Sequence, residues 1–178
     1  MIPAAPCDNT PEPCCVSLSD IANHLLSETF DALAECGVDA CEGIVAYVTM
    51  GNGDDGISDA LTVAFLSTTA SPNTRAGQLS LYRATFDVRL RESGWPTAVV
   101  EGKAIVLPDP AVQAAAARYM LGRGEAIHRR LAHLSTSRGL VPAGVRCSNG
   151  SVGSLSPLAP QGGVAGWTTQ VTIDLPWN

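Results

Sequence analysis

Six cysteines, three histidines and one glycine-rich turn are the residues here whose types and spacing could do chemistry. Cys7, Cys14, Cys15, Cys36 and Cys41 fall in the first 41 residues, with His24 among them and Cys147 far away. Thiolates and imidazole are zinc ligands, but no C-x-x-C pair is present, and structural zinc sites are commonly built from such pairs. A Cys36–Cys41 disulfide also stays open, because spacing does not reveal oxidation state. Reduced thiols are the expectation, since the first seven residues show neither the basic region nor the apolar stretch of a secretory leader.

Glu125-x-x-His128 has the helical spacing of a carboxylate–imidazole metal pair. It occurs once, and His133 lies five residues on, off that face, so a solvated helix surface is the better reading. Gly51-Asn52-Gly53-Asp54-Asp55-Gly56 matches G-x-G-x-x-G after a strand. A dinucleotide site needs a helix to begin there, so that its first N–H groups meet the pyrophosphate. This chain continues into another strand instead, and two aspartates would face the phosphates. The stretch also lacks the ligand spacing of a calcium loop. No serine stands in G-x-S-x-G, no catalytic carboxylate pair is legible, and Asn149-Gly150-Ser151 is a glycosylation sequon without secretory context. No catalytic, cofactor or metal residue is therefore assigned, and an enzyme is the least supported class.

Stepping from chemistry to elements, residues 107–138 read as one long amphipathic helix. Asp109 can cap it and Pro110 can take its first position, where a missing N–H costs nothing. Val112, Ala115, Ala116, Tyr119, Ala126, Ile127, Leu131 and Leu134 form one apolar face, with Arg118, Glu125, Arg129 and Arg130 largely opposite. Gly139 is the expected stop. Gly122 and Gly124 each cost about 1 kcal/mol against Ala, so they should mark a bend or a close approach of another backbone.

Residues 1–16, rich in Pro and Cys, read as an extended arm, and 17–178 as one domain. Ser17-Leu18-Ser19-Asp20 is a capping box that opens a helix to about Cys36, with Gly37 following. Strands are expected over 43–50, 61–69 and 79–91, over 145–155, and over 164–175, with 99–107 only partly strand. The third alternates Tyr82, Ala84, Phe86, Val88 and Leu90 with Arg83, Thr85, Asp87, Arg89 and Arg91, so one face is buried and one wet. Residues 51–56, 71–77 and 156–163 read as loops. The order predicts an α+β fold, a mainly antiparallel β-sheet with two helices packed on one face.

The chain has a globular composition, with 46% hydrophobic and 16% charged residues. No apolar stretch is long enough to predict a membrane helix. A net charge of −6 disfavours a general nucleic-acid binder. Ten Arg against one Lys reads first as base composition, and second as a preference for planar multi-donor contacts. Trp95-Pro96 and Pro176-Trp177-Asn178 put large aromatics in loops, as core plugs or as anchors for a partner chain.

The layout resembles the tail terminator proteins of long-tailed bacteriophages, the lambda tail terminator type. The residues that carry the likeness are the strand Leu79 and Tyr82-Arg83-Ala84-Thr85-Phe86-Asp87-Val88-Arg89-Leu90-Arg91-Glu92, the Gly94-Trp95-Pro96 that ends it, the helix Ala111-Val112-Gln113-Ala114-Ala115-Ala116-Ala117, and the closing Val171-Thr172-Ile173-Asp174-Leu175-Pro176-Trp177. The likeness spans residues 17–178 and excludes the Cys-rich arm. It implies a non-enzymatic virion protein, assembled in the host cytoplasm, that forms a hexameric ring at the head-proximal end of the tail. The ring would cap the tail tube, end its polymerisation and present a surface to head–tail connector proteins. Genomic DNA would pass its lumen without specific binding, which an acidic lumen favours, and no cofactor or membrane is involved. The interface candidates are Arg83, Arg89 and Arg91 on the wet strand face, and Asn73, Thr74 and Arg75 in the loop that could reach the tube. The rival readings are another head-completion or tail-tube protein and, in a different class, a small Cys-rich metal-binding or redox protein.

Overall fold

The computed structural model describes residues 17–37, 41–51, 57–70, 81–145, 147 and 149–176. The chain begins with helix α1 (Leu18–Ala34), capped as its sequence specifies. The Asp20 N–H donates to Ser17 Oγ and the Ser17 N–H to Asp20 Oδ2, both at 3.1 Å. Strands β1 (Val45–Met50), β2 (Ala60–Ala70) and β3 (Leu81–Glu92) follow. Then come β4 (Val99–Glu101), β5 (Ala104–Val106), helix α2 (Pro110–Ser137), β6 (Asn149–Val152), β7 (Ser156–Gln161) and β8 (Val164–Pro176).

Six strands make one sheet in the order β1-β2-β3-β8-β6, with β7 also paired to β8. All pairs are antiparallel except β1 with β2. The two helices lie on one face, α1 against β1 and β2, α2 against β6 and β8, and each against the other. The predicted α+β architecture is thus the one observed.

The alternation of β3 sets the two faces. Ala84, Phe86, Val88 and Leu90 point to the helices, where Leu61 and Val63 of β2 and Val171, Ile173 and Leu175 of β8 join them. Ile21, Leu25 and Leu33 of α1 and Ile127, Leu131 and Leu134 of α2 close the core from above. Gly166 allows β3 and β8 to meet at their ends, since a Cβ there would stand 2.0 Å from the Leu90 carbonyl oxygen.

Residues 99–107, expected to be only partly strand, hold a short hairpin, β4 paired antiparallel to β5 as a separate two-stranded sheet, turning at Gly102 with φ +63°. Three expectations are corrected. Residues 156–163, read as a loop for their prolines, contain β7. Pro157 and Pro160 lack an N–H, but β7 bonds only on the side facing β8. The strand expected over 145–155 shrinks to β6, whose pairing with β8 runs from Asn149 to Val152 and ends on the Gly153 N–H bonded to the Gln170 carbonyl at 2.7 Å. At the end of α2 the left-handed cap is Arg138, with φ 60°, rather than Gly139. The expected stretches at 1–16, 52–56 and 71–80 lie outside the described residues.

Candidate assembly surfaces

The face of the sheet away from the helices carries the arginines singled out in the sequence. Arg83 reaches across to Asp174, its register partner on β8, with Nε and Nη2 donating to the two carboxylate oxygens at 2.9 and 3.1 Å. Asp174 is only 2% exposed, and the bidentate bond holds the Arg83 guanidinium above its ordinary pKa. Arg89 donates to Asp87 at 2.8 Å, and the Thr168 hydroxyl donates to the other oxygen of that carboxylate. Arg91 lines a recess of about 180 Å³ with Arg89, Leu158, Gln161 and Val164. The three arginines lie on the sheet face away from the helices, the side on which alternation placed them. Arg83, Arg89 and Arg91 are half-buried, and the first two are committed to carboxylates buried in their own sheet. Asn73, Thr74 and Arg75 lie outside the described residues.

A third ion pair pins α2 to the sheet. Arg123 Nε lies 3.0 Å from Glu92 Oε1, with both side chains nearly sealed from solvent. Arg123 Nη1 also donates to the Tyr119 hydroxyl at 2.6 Å, and its guanidinium carbon lies 5.2 Å from that ring. Burial pushes the Glu92 carboxyl above the ordinary range, and the Arg123 charge only partly counters this. At the very next residue, Trp167 lies against Gly124, where a Cβ would stand 2.8 Å from two indole carbons. The close approach expected at Gly124 is real, but it is made by a side chain rather than a backbone.

Beyond this pin, among the described residues, the start of the helix is uncovered. Of the apolar face read from the sequence, Ile127, Leu131 and Leu134 are buried, but Val112 and Tyr119 are 53% and 57% exposed. The first ten residues of α2, about 15 Å of helix, contribute nothing to the core. The hairpin before it is barer still. Val100 and Ile105, direct cross-strand partners, are each 71% exposed, and Val99, Val106 and Leu107 are also exposed. A two-stranded hairpin is marginal alone, and an apolar one in water calls for a cover. The only sequence signal for this surface is the pattern Val99-Val100-Glu101-Gly102-Lys103-Ala104-Ile105-Val106, a hairpin with its turn glycine.

Between the two helices runs a groove of about 550 Å³. Its floor is made of small side chains, Ala32, Cys36, Gly122 and Ala126, and its rim of Glu35, Arg129, Arg130 and His133. Arg130 is bound to Glu28 of α1 at 2.7 Å, which ties the two walls together. Arg129 and Glu35 have no ionic partner among the described residues.

The histidines and cysteines do not converge. His24 donates to the Gly139 carbonyl at 2.8 Å and His128 to the Gly153 carbonyl at 2.9 Å, so both tie α1 or α2 to neighbouring backbone. Cys36, Cys41 and Cys147 are free thiols, and burial pushes the last two above the ordinary cysteine range. No group of three or more His, Cys, Asp or Glu able to hold a metal occurs among the described residues, and Cys7, Cys14 and Cys15 lie outside them. Among the described residues no helix is long and apolar enough to cross a membrane.

No protein-family model matches the chain, and no curated protein matches it either.

Proposed function

We propose that this chain is a structural virion protein of the tail terminator kind, whose copies form a ring that caps a phage tail tube and offers its other side to head–tail connector proteins. The observation that carries the reading is the apolar surface made by the β4–β5 hairpin and the bare start of α2. An α+β domain that projects an apolar hairpin and three uncovered helical turns is built to be covered by other chains. The ion pairs on the opposite sheet face are spent internally, so that face serves the fold before any partner. The ring size of six and the passage of DNA through an acidic lumen come from the resemblance alone.

The test is the oligomeric mass of the purified chain by light scattering, with and without purified tail tubes. A discrete ring, alone or formed on tube ends, is the expected result. Open-ended polymers would reassign the chain to the tube itself. A monomer indifferent to tubes and carrying bound zinc would overturn the reading in favour of the Cys-rich metal protein.

A further inference from the structure

Resting on the ring reading, we infer that the β4–β5 hairpin of one copy seats in the α1–α2 groove of the next copy. Both surfaces are bare in the same chain, so neither covers the other, and they are different surfaces. Along α2, Gly122 in the groove is ten residues from Val112 beside the hairpin, about 15 Å. A contact between unlike patches is heterologous, which is the kind that closes into rings when the rotation allows.

Shape and charge match. The most exposed face of the hairpin is the Val100–Ile105 pair, two β-branched side chains side by side. The groove floor of Ala32, Gly122 and Ala126 is the kind of small-residue surface that admits such knobs. The hairpin turn carries Glu101 and Lys103, and the groove rim carries Arg129 and Glu35. Strand alternation puts Glu101 on the hairpin face opposite Val100, so the charge that follows the seated pair is Lys103 at the turn, which meets Glu35 beside the groove. A charge pair beside an apolar centre fixes register and rejects wrong partners.

Cys36 in the groove supplies a direct test. Val100→Cys and, separately, Ile105→Cys are made in the full chain, oxidised in the assembled state and run without reductant. A ladder of covalently joined copies is expected for at least one of them, and its loss when Cys36→Ser is added. In parallel, Lys103→Glu or Glu35→Lys alone is expected to weaken assembly at least about tenfold, and the two together to restore it. All these positions are exposed, and an unchanged circular dichroism spectrum verifies that the variants fold. If the unaltered chain forms rings but no ladder depends on Cys36, or the charge reversals leave the assembled mass unchanged, the hairpin–groove contact is overturned while the ring reading stands. If the unaltered chain stays monomeric even with tubes, both fall.

Discussion

Arg123 and Glu92 form an ion pair at 3.0 Å in which each partner is more than nine-tenths buried. One end sits on α2 and the other at the last residue of β3. The pair marks the point where the helix stops lying on the sheet and begins to project from it. An ion pair in that setting is costly to half-remove, because the survivor is left charged and dry.

Arg123→Met is therefore expected to lower stability by about 3–5 kcal/mol at neutral pH. Glu92 then loses its counter-charge, and its folded pKa, already raised by burial, rises further. With an acid whose folded pKa is raised, stability falls as pH climbs from the ordinary glutamate range through the folded value. The deficit of the variant should thus shrink as pH is lowered toward that range. Urea unfolding of both proteins across mild acid to neutral pH checks this, and a pH-independent deficit would contradict it.

The two helix glycines should respond with opposite signs. At Gly122 an added Cβ meets nothing within 4 Å, so Gly122→Ala should stabilise the chain by about 1 kcal/mol through helix propensity. At Gly124 the methyl would strike the Trp167 indole, and overpacking of about 1–3 kcal/mol should exceed the same gain. Thermal unfolding separates the two, and Trp167 fluorescence should shift only for Gly124→Ala.

On the sheet face, truncating either end of the Arg83–Asp174 bridge should not cost the same. Asp174 is buried and Arg83 is 30% exposed. Arg83→Ala removes the bidentate partner of a carboxylate that is 2% exposed, whereas Asp174→Ala frees an arginine that can turn to water. The first should cost about 3 kcal/mol and the second roughly half as much. Equal losses in denaturant titration would show that burial does not govern the bridge.

Asp59 provides an acid-side test. Burial pushes its carboxyl up, but the Ser93 N–H at 2.8 Å, the Ser93 hydroxyl at 2.9 Å and the Ser58 hydroxyl at 3.1 Å outweigh this and hold it below the ordinary aspartate value. With an acid whose folded pKa is lowered, the contribution is full above the ordinary value and is lost as pH falls through the folded one. Asp59→Asn should cost about 1 kcal/mol at neutral pH, and the two stability curves should converge in strong acid. Parallel curves down to the lowest pH would refute the role of these bonds.

Strong periodicity made α1, α2, β3 and β8 legible. The capping box at Ser17 and Asp20, and Pro110 after Asp109, are local chemistry that needs no tertiary knowledge. The parallel pairing of β1 with β2 was not legible, because strand neighbours are chosen by the whole core rather than by either strand. β7 was hidden by Pro157 and Pro160, whose usual meaning is a turn. For the candidate surfaces, alternation placed Arg83 and Arg89 on the wet side of β3 correctly. It could not show that Asp174, a register partner on a distant strand, and Asp87, two residues along, would hold them. Of the buried face of α2, Ile127, Leu131 and Leu134 were legible but Met120 and Arg123 were not, and an amphipathic pattern says that a face is covered and not by which chain. The first half of the apolar face read from the sequence, from Val112 to Tyr119, is left bare by its own sheet.

The divided margin beside β8 has a bearing on assembly. Two short strands share it, interrupted after Val152, and one of them carries Pro157 and Pro160 with no N–H to offer. Such a rim is a poor template for another strand, so copies have little means of joining sheet to sheet there. A molecule with an apolar hairpin and bare helix to hide is exposed to indiscriminate aggregation. Blunting this border blocks one route to it and leaves association to side-chain fit, which can select one partner in one orientation.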